Sequence, residues 1–290
     1  MPIRALKGAL SSRLKRDRAP GSVHRSELVY NPRSQKPGHI RLLSFNIQVG
    51  INTQQYGHYL TRGWQHLLPH SRRARTLDQI AAALPDFDLV ALQEADGGSL
   101  RSGFINQTEY LALKCQFPYW YHQLNRNLGK LAQHSNGFLS RFKPTILEDH
   151  KLPGLIPGRG AIVARFGDTR NPLVVVMMHL ALSQRARNGQ LSYIRDLVRT
   201  YNHVVLMGDM NTHAEQLLNN SPLKDTDLQA VHSELNTFPS WRPSRSLDHI
   251  LVSPSLIVHQ FGVLNLPISD HLPIAVEVEV PKSVILETTL

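Results

Sequence analysis

Apolar segments of strand length recur between residues 39 and 280, and they constrain the fold more than any other feature of the sequence. The longest apolar run, residues 172–182, falls well short of the ~18 residues that a membrane-spanning helix requires. Residues 71–84 and 185–200 instead carry apolar side chains at helical spacing. Because the strands outnumber the helices but interleave with them, the sequence predicts one α/β domain in which packed sheets are covered by helices. The strand segments are residues 39–47, 88–94, 137–142, 160–166, 173–179, 204–208, 247–253 and 273–280.

The basic residues of the chain are concentrated in its N-terminal segment. Residues 1–41 hold ten Lys or Arg and two acidic residues, so +8 of the formal net charge of +10 lies there and +2 on the rest of the chain. We therefore expect a basic N-terminal tail over residues 1–38, a folded domain over residues 39–280 and a C-terminal tail over residues 281–290.

The N-terminal tail leaves several interpretations open. Ile3, Leu6, Leu10 and Leu14 recur at helical spacing with Lys and Arg between them. Such a segment can contact an anionic membrane surface or nucleic acid, it has the composition of an organelle transit peptide, and it can equally be a solvated tail. It lacks the continuous apolar stretch of a secretory signal, and the chain has a single cysteine, Cys115. We predict a cytoplasmic protein without a transmembrane segment, with peripheral membrane contact through the tail as an option.

Several strand segments end on, or begin with, a polar side chain that can contact a metal ion or a phosphate. Taken singly, each has an ordinary explanation, such as a turn, a cap or a solvated carboxylate. Together they are harder to dismiss, because loops at the ends of a rigid scaffold are where sites are built. The residues are Asn46, Glu94, His179, Asp209, Asn211, Asp248, Asp270 and His271.

The chemistry of these side chains favours a hard divalent cation. The phosphate-loop pattern GxxxxGK and the zinc signatures HExxH and CxxC are absent from the sequence. Oxygen ligands accompanied by histidine suit Mg²⁺ or Mn²⁺. Because Mg²⁺ keeps several waters, Glu94 with Asn46 and Asp270 would be enough to hold it.

A phosphoester reaction also needs a nucleophile and a means of stabilising charge. Asp209 can orient and deprotonate a water for in-line attack, while the Asn211 amide fixes a non-bridging oxygen. His271 can present one ring nitrogen to the phosphate if a carboxylate holds the other nitrogen, and Asp248 is the candidate for that carboxylate.

In chain order, LLSFNI, LVALQE, HL at 179–180, GDMN, LDHI and SDHLP resemble the motifs of the endonuclease/exonuclease/phosphatase superfamily, which has the DNase I-like fold. The resemblance spans about residues 39–280. It implies a four-layered α/β sandwich, in which two packed mixed β-sheets are flanked by helices and the site lies at one rim. It also implies that His179 contacts the scissile phosphate or serves the leaving group, and that the other strand-end residues take the roles given above.

Two positions depart from the family pattern. Gln48 stands where abasic-site endonucleases of the family carry an Asp, so a second carboxylate ligand is lacking and kinship with that branch is disfavoured. No carboxylate can be assigned by spacing to support His179. The segment HSNGFLSRF at 134–142 resembles an Asn-Gly and Ser-Arg pair near the substrate of some phosphodiesterases, which makes Asn136 and Arg141 candidate phosphate contacts. A turn followed by a strand explains that segment equally well.

The sequence therefore predicts a Mg²⁺- or Mn²⁺-dependent phosphodiester hydrolase that acts through an activated water. Nuclease-type action is favoured by Arg72, Arg73 and Arg75, which are expected to face solvent on the first helix. The small charge outside the tail weakens that case, because a nuclease needs a basic groove. The alternatives are a phospholipid head-group phosphodiesterase, a phosphomonoesterase and a non-catalytic scaffold that binds phosphate or nucleic acid.

Overall fold

The computed structural model describes residues 24–25, 38–50, 72–154, 158–232 and 235–288. The strands of the larger sheet are β1 (His24–Arg25), β2 (His39–Asn46), β3 (Leu89–Asp96), β4 (Tyr119–Asn127), β5 (Gln133–Ser140), β12 (Ile257–Val263) and β13 (Ile274–Glu279). Those of the smaller sheet are β6 (Ile146–Lys151), β7 (Gly160–Phe166), β8 (Leu173–His179), β9 (His203–Asp209), β10 (Gln229–Ala230) and β11 (Asp248–Val252). The α-helices are α1 (Arg72–Ala83), α2 (Gln107–Lys114), α3 (Gln184–Val198) and α4 (Ala214–Asn219).

Both sheets are mixed, and the parallel pairs position the strand ends. The larger sheet has the order β1-β4-β5-β3-β2-β13-β12, and the smaller sheet has the order β10-β11-β9-β8-β7-β6. β2 runs parallel to β3, and β8 runs parallel to β9. A parallel pair needs a crossover connection, and α1 and α3 lie in these two connections. As a result, β2 and β3 end at one edge of their sheet, and β8 and β9 end at one edge of theirs.

Three apolar cores separate four layers. The central core lies between the two sheets and contains Leu42 and Val175. A second core, which contains Leu43 and Leu77, lies between the larger sheet and α1 and α2. The third core, which contains Leu191, lies between the smaller sheet and α3. Adjacent β2 residues thus point into different cores, as strand alternation requires. The predicted four-layered α/β sandwich is confirmed.

The two helices predicted from spacing are present, but one arginine on each of them is buried. Arg73 is 5% exposed, and burial lowers its pKa to about 10. Arg187 is also buried, and its Nη1 donates to the carbonyl oxygens of Ala181 and Leu182. Arg75 is exposed as expected. The expectation that Arg73 faces solvent was therefore wrong, and the basic surface of α1 is smaller than the sequence indicated.

Several elements have no counterpart among those expected from the sequence, namely β4, β6, β12 and α2. β6 and β12 are the outer strands of their sheets, and their sequences ILEDHK and IVHQFGV mix charged or polar residues with apolar ones. Edge strands commonly carry such residues, which weakens their alternation pattern. α2 is short and begins at an Asn106 cap, whose side chain accepts from the backbone N–H groups of Thr108 and Glu109.

The packed body continues beyond residue 280. Val284 is buried in the core between the sheets. The backbone N–H of Lys143 donates to the carbonyl oxygen of Glu287 at 2.8 Å. Residues 281–288, which the sequence predicted to be a tail, therefore pack on the domain.

The expected N-terminal tail lies largely outside the described residues. Within it, β1 pairs antiparallel with β4, and His24 is opposite Trp120. Among the residues that the structure describes, no helix is long and apolar enough to cross a membrane.

Candidate active site

The polar strand ends meet at one rim of the sandwich. His179 lies directly opposite Asp209 in the parallel β8–β9 pair, and Asp209 lies opposite Asp248 in the antiparallel β9–β11 pair. Asn46 ends β2 in the other sheet, and its Nδ2 donates to Asp209 Oδ2 at 3.1 Å. The two sheets thus bring their strand ends into contact at this rim.

Asp209 is the centre of a network of polar side chains. Its Oδ2 lies 3.3 Å from His179 Nε2 and 3.9 Å from His271 Nε2, in addition to the Asn46 contact. Its Oδ1 accepts the backbone N–H of Asn211 at 3.0 Å. Asp209 and both histidines are buried, so these contacts act in a low-dielectric environment. Asp209 is therefore the carboxylate beside His179 that could not be assigned from sequence spacing.

His271 is held in place by Asp248. Its Nδ1 donates to Asp248 Oδ2 over 2.8 Å, and the Thr237 hydroxyl donates to the same oxygen. The Phe238 ring packs against the imidazole, with 4.9 Å between the ring centroids. With Nδ1 held, Nε2 faces Asp209. The Asp248–His271 contact that the sequence analysis sought is therefore present.

Glu94 enters the site from a distortion of β3. The register of β3 against β5 shifts between Leu92 and Ala95, and Glu94 itself has φ +54°. A bulge of this kind re-aims a side chain. Here it brings Glu94 Oε1 to 3.3 Å from Asn46 Nδ2 and 3.9 Å from His179 Nε2. The Glu94 side chain is 37% exposed, so it is the carboxylate of the network that solvent reaches most easily.

The GDMN segment combines a turn with a close approach of the Gly208 and Met178 backbones. Gly208 has φ +147°, and a Cβ atom at this position would lie 1.9 Å from the backbone oxygen of Met178, so a larger residue does not fit. Asn211 has φ +53°, a conformation that Asn tolerates better than most residues. Its Nδ2 donates to the carbonyl oxygen of Leu180 at 3.0 Å. The turn delivers Asp209 and Asn211 to the rim together.

The charges of the network are set by their neighbours. Burial alone would lower the pKa of His271, but the carboxylates of Asp248, Asp209 and Asp270 outweigh it and raise that pKa well above its usual value. Burial alone would raise the pKa of Asp209, yet its contacts with His271, His179 and Asn46 hold it below its usual range. These contacts therefore favour the carboxylate form of Asp209 and the imidazolium form of His271.

Asp270 lies beside His271 in the loop before β13. The hydroxyl of the preceding Ser269 donates to the carbonyl oxygen of Asn46 at 2.7 Å, which ties this loop to the end of β2. The Asp270 carboxylate contributes to the raised pKa of His271, so it lies within electrostatic reach of the network.

The two predicted phosphate contacts have partners inside the protein. Asn136 is buried, and its Nδ2 donates to Gln123 Oε1 at 3.1 Å and to the carbonyl oxygen of Gly160 at 3.2 Å. Arg141 is also buried, and its Nε donates to the carbonyl oxygen of Phe87 at 2.8 Å. The structure joins neither residue to the Asp209 network.

Strand register explains the position of Arg141. The residue before it, Ser140, pairs with Leu89 at the beginning of β3. Glu94 lies near the other end of that strand. Arg141 therefore lies at the opposite end of β3 from the site, which corrects the expectation that it contacts substrate.

Three residues complete the site without having been predicted. Thr237 and Phe238 hold Asp248 and His271 from a loop whose sequence has no apolar periodicity, so no pattern identified them. Ser269 belongs to the stretch SDHLP, where its place beside Asp270 was the available signal.

The donor atoms at the rim suit a divalent cation held mainly by carboxylates. Glu94 supplies an accessible oxygen, as Mg²⁺ or Mn²⁺ prefers. Asn46 instead turns its NH₂ group toward Glu94 and Asp209, while its Oδ1 accepts the backbone N–H of Gln48 at 3.2 Å. Asn46 therefore fits a positioning role better than the direct ligand role expected from the sequence.

A second grouping of ligand atoms lies deeper in the rim. Atoms of Asp209, Asp248 and His271 all lie within 4.8 Å of one another. Because the Asp248 and His271 atoms already bond to each other, we favour the exposed Glu94 side of the network as the metal position.

Comparison with known proteins agrees with this geometry. The family model described as the endonuclease/exonuclease/phosphatase family matches residues 43–271, most of the chain. The chain belongs to that family. The matched range runs from β2 to His271 and contains all eight strand-end residues. The fold is accordingly that of the family's hydrolases. No sequence among curated proteins gives a significant match.

Solved structures share the fold at low sequence identity. An endonuclease/exonuclease/phosphatase from Beutenbergia cavernae is 18% identical, with a TM-score of 0.63 over 84% of this chain and 72% of that one. The mannosyl-6-phosphatase Bt3783 of Bacteroides thetaiotaomicron is 20% identical, with a TM-score of 0.58 over 82% and 99% of the two chains. TDP2 of D. rerio, solved with a single-strand DNA product, is 16% identical, with a TM-score of 0.58 over 83% and 99%.

Proposed function

We propose that this protein is a divalent-metal-dependent phosphodiester hydrolase in which Asp209 activates the attacking water. The observation that carries the proposal is the environment of Asp209. This carboxylate is buried and ionised, and it contacts Asn46 and His179 while facing His271. A turn or a solvated loop would not need so many buried partners for one carboxylate.

Glu94, with Asp270 nearby, would hold the cation. When bound, Mg²⁺ or Mn²⁺ supplies positive charge that binds a phosphate oxygen and offsets the negative charge of the transition state. Asn46 keeps the Glu94 and Asp209 carboxylates in fixed orientations through the two bonds of its amide.

Asp209 accepts a proton from the water that attacks phosphorus. A general base must lie within hydrogen-bond reach of its proton before its pKa matters, and the contacts to Asn46 and His179 fix the carboxylate for that task. Asn211 follows on the same turn. Its amide uses one N–H on the Leu180 carbonyl oxygen, and we assign the other to a non-bridging phosphate oxygen.

His271 donates from Nε2 to the phosphate. Its raised pKa favours the imidazolium form, which stabilises charge as a fixed donor. Asp248 keeps the ring oriented by accepting from Nδ1. His179 also contacts Asp209 through Nε2, and we assign this nitrogen to the leaving-group oxygen.

For the substrate, we propose a nucleic-acid phosphodiester. The likeness to TDP2, which was solved with a single-strand DNA product, supports this choice. A phosphomonoesterase is the second candidate, supported by the likeness to the mannosyl-6-phosphatase and by the modest charge of the body. The burial of Arg73 removes one of the three arginines that favoured a nuclease. Hydrolysis assays must therefore decide between the phosphodiesterase and the phosphomonoesterase.

Hydrolysis assays on the purified chain test the proposal. We expect Mn²⁺- or Mg²⁺-dependent cleavage of bis(p-nitrophenyl) phosphate and of a single-stranded DNA oligonucleotide, and loss of both with EDTA. Faster turnover of p-nitrophenyl phosphate and sugar phosphates would favour the monoesterase. If Asp209→Asn and His271→Ala proteins, folded as judged by circular dichroism, cleave every substrate as fast as wild type, the proposed site is wrong.

A further inference from the structure

A second group of histidine and carboxylate residues lies on three neighbouring strands of the larger sheet. His39 on β2 is directly opposite Glu279 on β13. His259 lies on the outer strand β12, inside the register shift between Val258 and Gln260. A bulge re-aims a side chain, and here the His259 ring stacks on His39 with 4.4 Å between the centroids.

The three side chains bring one ligand atom each to a common point. Glu279 Oε2 lies 3.0 Å from His259 Nε2 and 3.9 Å from His39 Nε2. The three ligand atoms all lie within 4.8 Å of one another. Ligands bonded about 2.0–2.1 Å from a tetrahedral zinc ion are about 3.3 Å apart. The two contacts of Glu279 bracket that spacing, so small side-chain rotations would complete a metal site.

A neighbouring carboxylate prepares His39 for this role. His39 Nδ1 lies 2.9 Å from Glu277 Oε1, and Glu277 Oε2 accepts from Arg41 Nε at 2.9 Å. When Nδ1 donates to a carboxylate, Nε2 carries the lone pair that binds a metal. A carboxylate behind a ligating histidine is the usual arrangement in zinc proteins. A simple surface ion pair between His39 and Glu279 would not need this orienting partner.

The cluster is separate from the rim that contains Asp209. His39 begins β2 and Asn46 ends it, and seven residues of strand span about 23 Å. Glu277 and Glu279 alternate with Val276 and Val278, which fill the core between the sheets, so the carboxylates lie on the outer face.

The cluster is also open to solvent. The side chains of His259 and Glu279 are 38% and 41% exposed, which leaves room for a water as the fourth ligand. Lys282 is the nearby cation that acts on Glu279, and a divalent ion would have to outweigh it.

We infer that His39, His259 and Glu279 form a second metal site, selective for zinc-class ions over Mg²⁺, with Glu277 as the carboxylate that orients His39. Two imidazoles and one carboxylate match zinc, whereas Mg²⁺ prefers oxygen ligands. The bound ion fastens the edge strand β12 to β13 and β2, and it therefore stabilises the sheet by binding the folded state. This site is independent of the proposed hydrolase activity.

Isothermal titration of the full chain with Zn²⁺, in excess Mg²⁺ to fill the oxygen-ligand site, tests the inference. We expect wild type to bind a Zn²⁺ whose affinity falls about tenfold or more in His259→Gln and Glu279→Gln, and about tenfold in Glu277→Gln. His150→Gln is the matched control. His150 Nε2 lies 3.8 Å from Glu148 Oε2, but His150 belongs to no group of three ligands among the described residues, so affinity should stay at the wild-type value.

The thermal unfolding temperature gives a second test of the zinc site. Zn²⁺ should raise the unfolding temperature of wild type and His150→Gln, and at the same Zn²⁺ concentration it should raise that of His259→Gln and Glu277→Gln by less. Wild-type protein that binds no Zn²⁺ would overturn the inference. So would Zn²⁺ binding of equal strength in wild type and in the His259, Glu279 and Glu277 variants, because the ion would then lie elsewhere.

Discussion

Strand β2 has a cluster of histidine and carboxylate residues at each end, and the two clusters differ in burial. At its carboxyl end, Asp209, Asp248 and His271 are buried, and His271 is hydrogen-bonded to Asp248 while its Nε2 lies 3.9 Å from Asp209 Oδ2. At its amino end, His259 and Glu279 are more than a third exposed. At the first cluster, contacts among the buried groups set the charge of each one, which suits catalysis. Exposure at the second leaves the side chains free to be organised by an ion.

The two clusters also differ in backbone conformation. Glu94, Gly208 and Asn211 at the rim have φ of +54°, +147° and +53°. His39 and Glu279 instead lie opposite each other in regular antiparallel pairing. Unfavourable backbone conformations persist where the surrounding structure enforces them, and they cluster at functional sites. The rim is built for fixed geometry, whereas His39 and Glu279 on the outer face lie on regularly paired strands and only His259 lies at a register shift.

The largest effect is expected from removing the charge of Asp209. Asp209→Asn should lower the rate of phosphodiester hydrolysis about 10³-fold, because the base is lost while the buried shape is kept. Initial rates at saturating Mn²⁺ measure this loss. His259→Gln is the control from the other cluster. A variant that keeps more than about a tenth of the wild-type rate would show that Asp209 is not the base.

The effect of a glycine-to-alanine substitution on stability should also differ between the rim and the edge strand β12. Gly208→Ala should destabilise the protein by about 3 kcal/mol or more, because its Cβ would collide with the Met178 oxygen at a positive φ. Gly262→Ala on β12, where no atom lies within 4 Å of an added Cβ, should change stability by about 0.5 kcal/mol or less. Urea unfolding measures both. Equal effects would contradict the contrast between the rim and the edge strand.

The Asp248–His271 pair should set the pH profile. Asp248→Asn should lower activity about 10²-fold, and it should move the alkaline limb to lower pH, because it removes a carboxylate that raises the pKa of His271. Rates measured across pH with both proteins show the shift. An unchanged alkaline limb would mean that a different group controls it.

The same pKa predicts how stability changes with pH. The pKa of His271 is raised in the folded state, so its stabilisation is fully present below the unfolded value of about 6.5. It is lost as pH rises through the folded-state pKa. Unfolding experiments in EDTA should therefore show a fall in wild-type stability on the alkaline side that Asp248→Asn reduces. A fall of the same size in both proteins would assign it to other groups.

The smallest effect is expected from the exposed cluster. Without added zinc, His259→Gln should leave the hydrolysis rate within about twofold of wild type, because the residue is exposed and stacks on His39, which lies at the opposite end of β2 from Asn46. The same assay measures it. A loss comparable with that of Asp209→Asn would mean that the two clusters are coupled.

The sequence predicted the parts of the fold that carry a strong local pattern. β8 and β9 are continuous apolar runs, and α1 carries its apolar stripe, so all three were recognisable. The residues of the rim were recognisable for the same reason, since Asp209 and His179 follow such runs directly. Their convergence was expected because several strand segments end on complementary polar side chains and because the ordered motifs resemble those of the family.

Other features depend on contacts that no local pattern encodes. Arg73 was expected at the surface of α1, but tertiary contacts enclose it, and they also enclose Arg187 on α3. Thr237 acts through a contact with Asp248 made from an irregular loop. His39 and His259 meet because β2 and β12 flank β13, and the mixed sequence of β12 did not identify it as a strand.

A crystal structure of the wild-type chain soaked with Mn²⁺ and phosphate would test the hydrolase site most directly. We expect an anomalous Mn²⁺ peak bonded to Glu94, with a phosphate bound between that ion and the side chains of Asp209 and His271. A phosphate bound elsewhere, with no Mn²⁺ peak beside Glu94, would contradict the assignment of this rim as the active site.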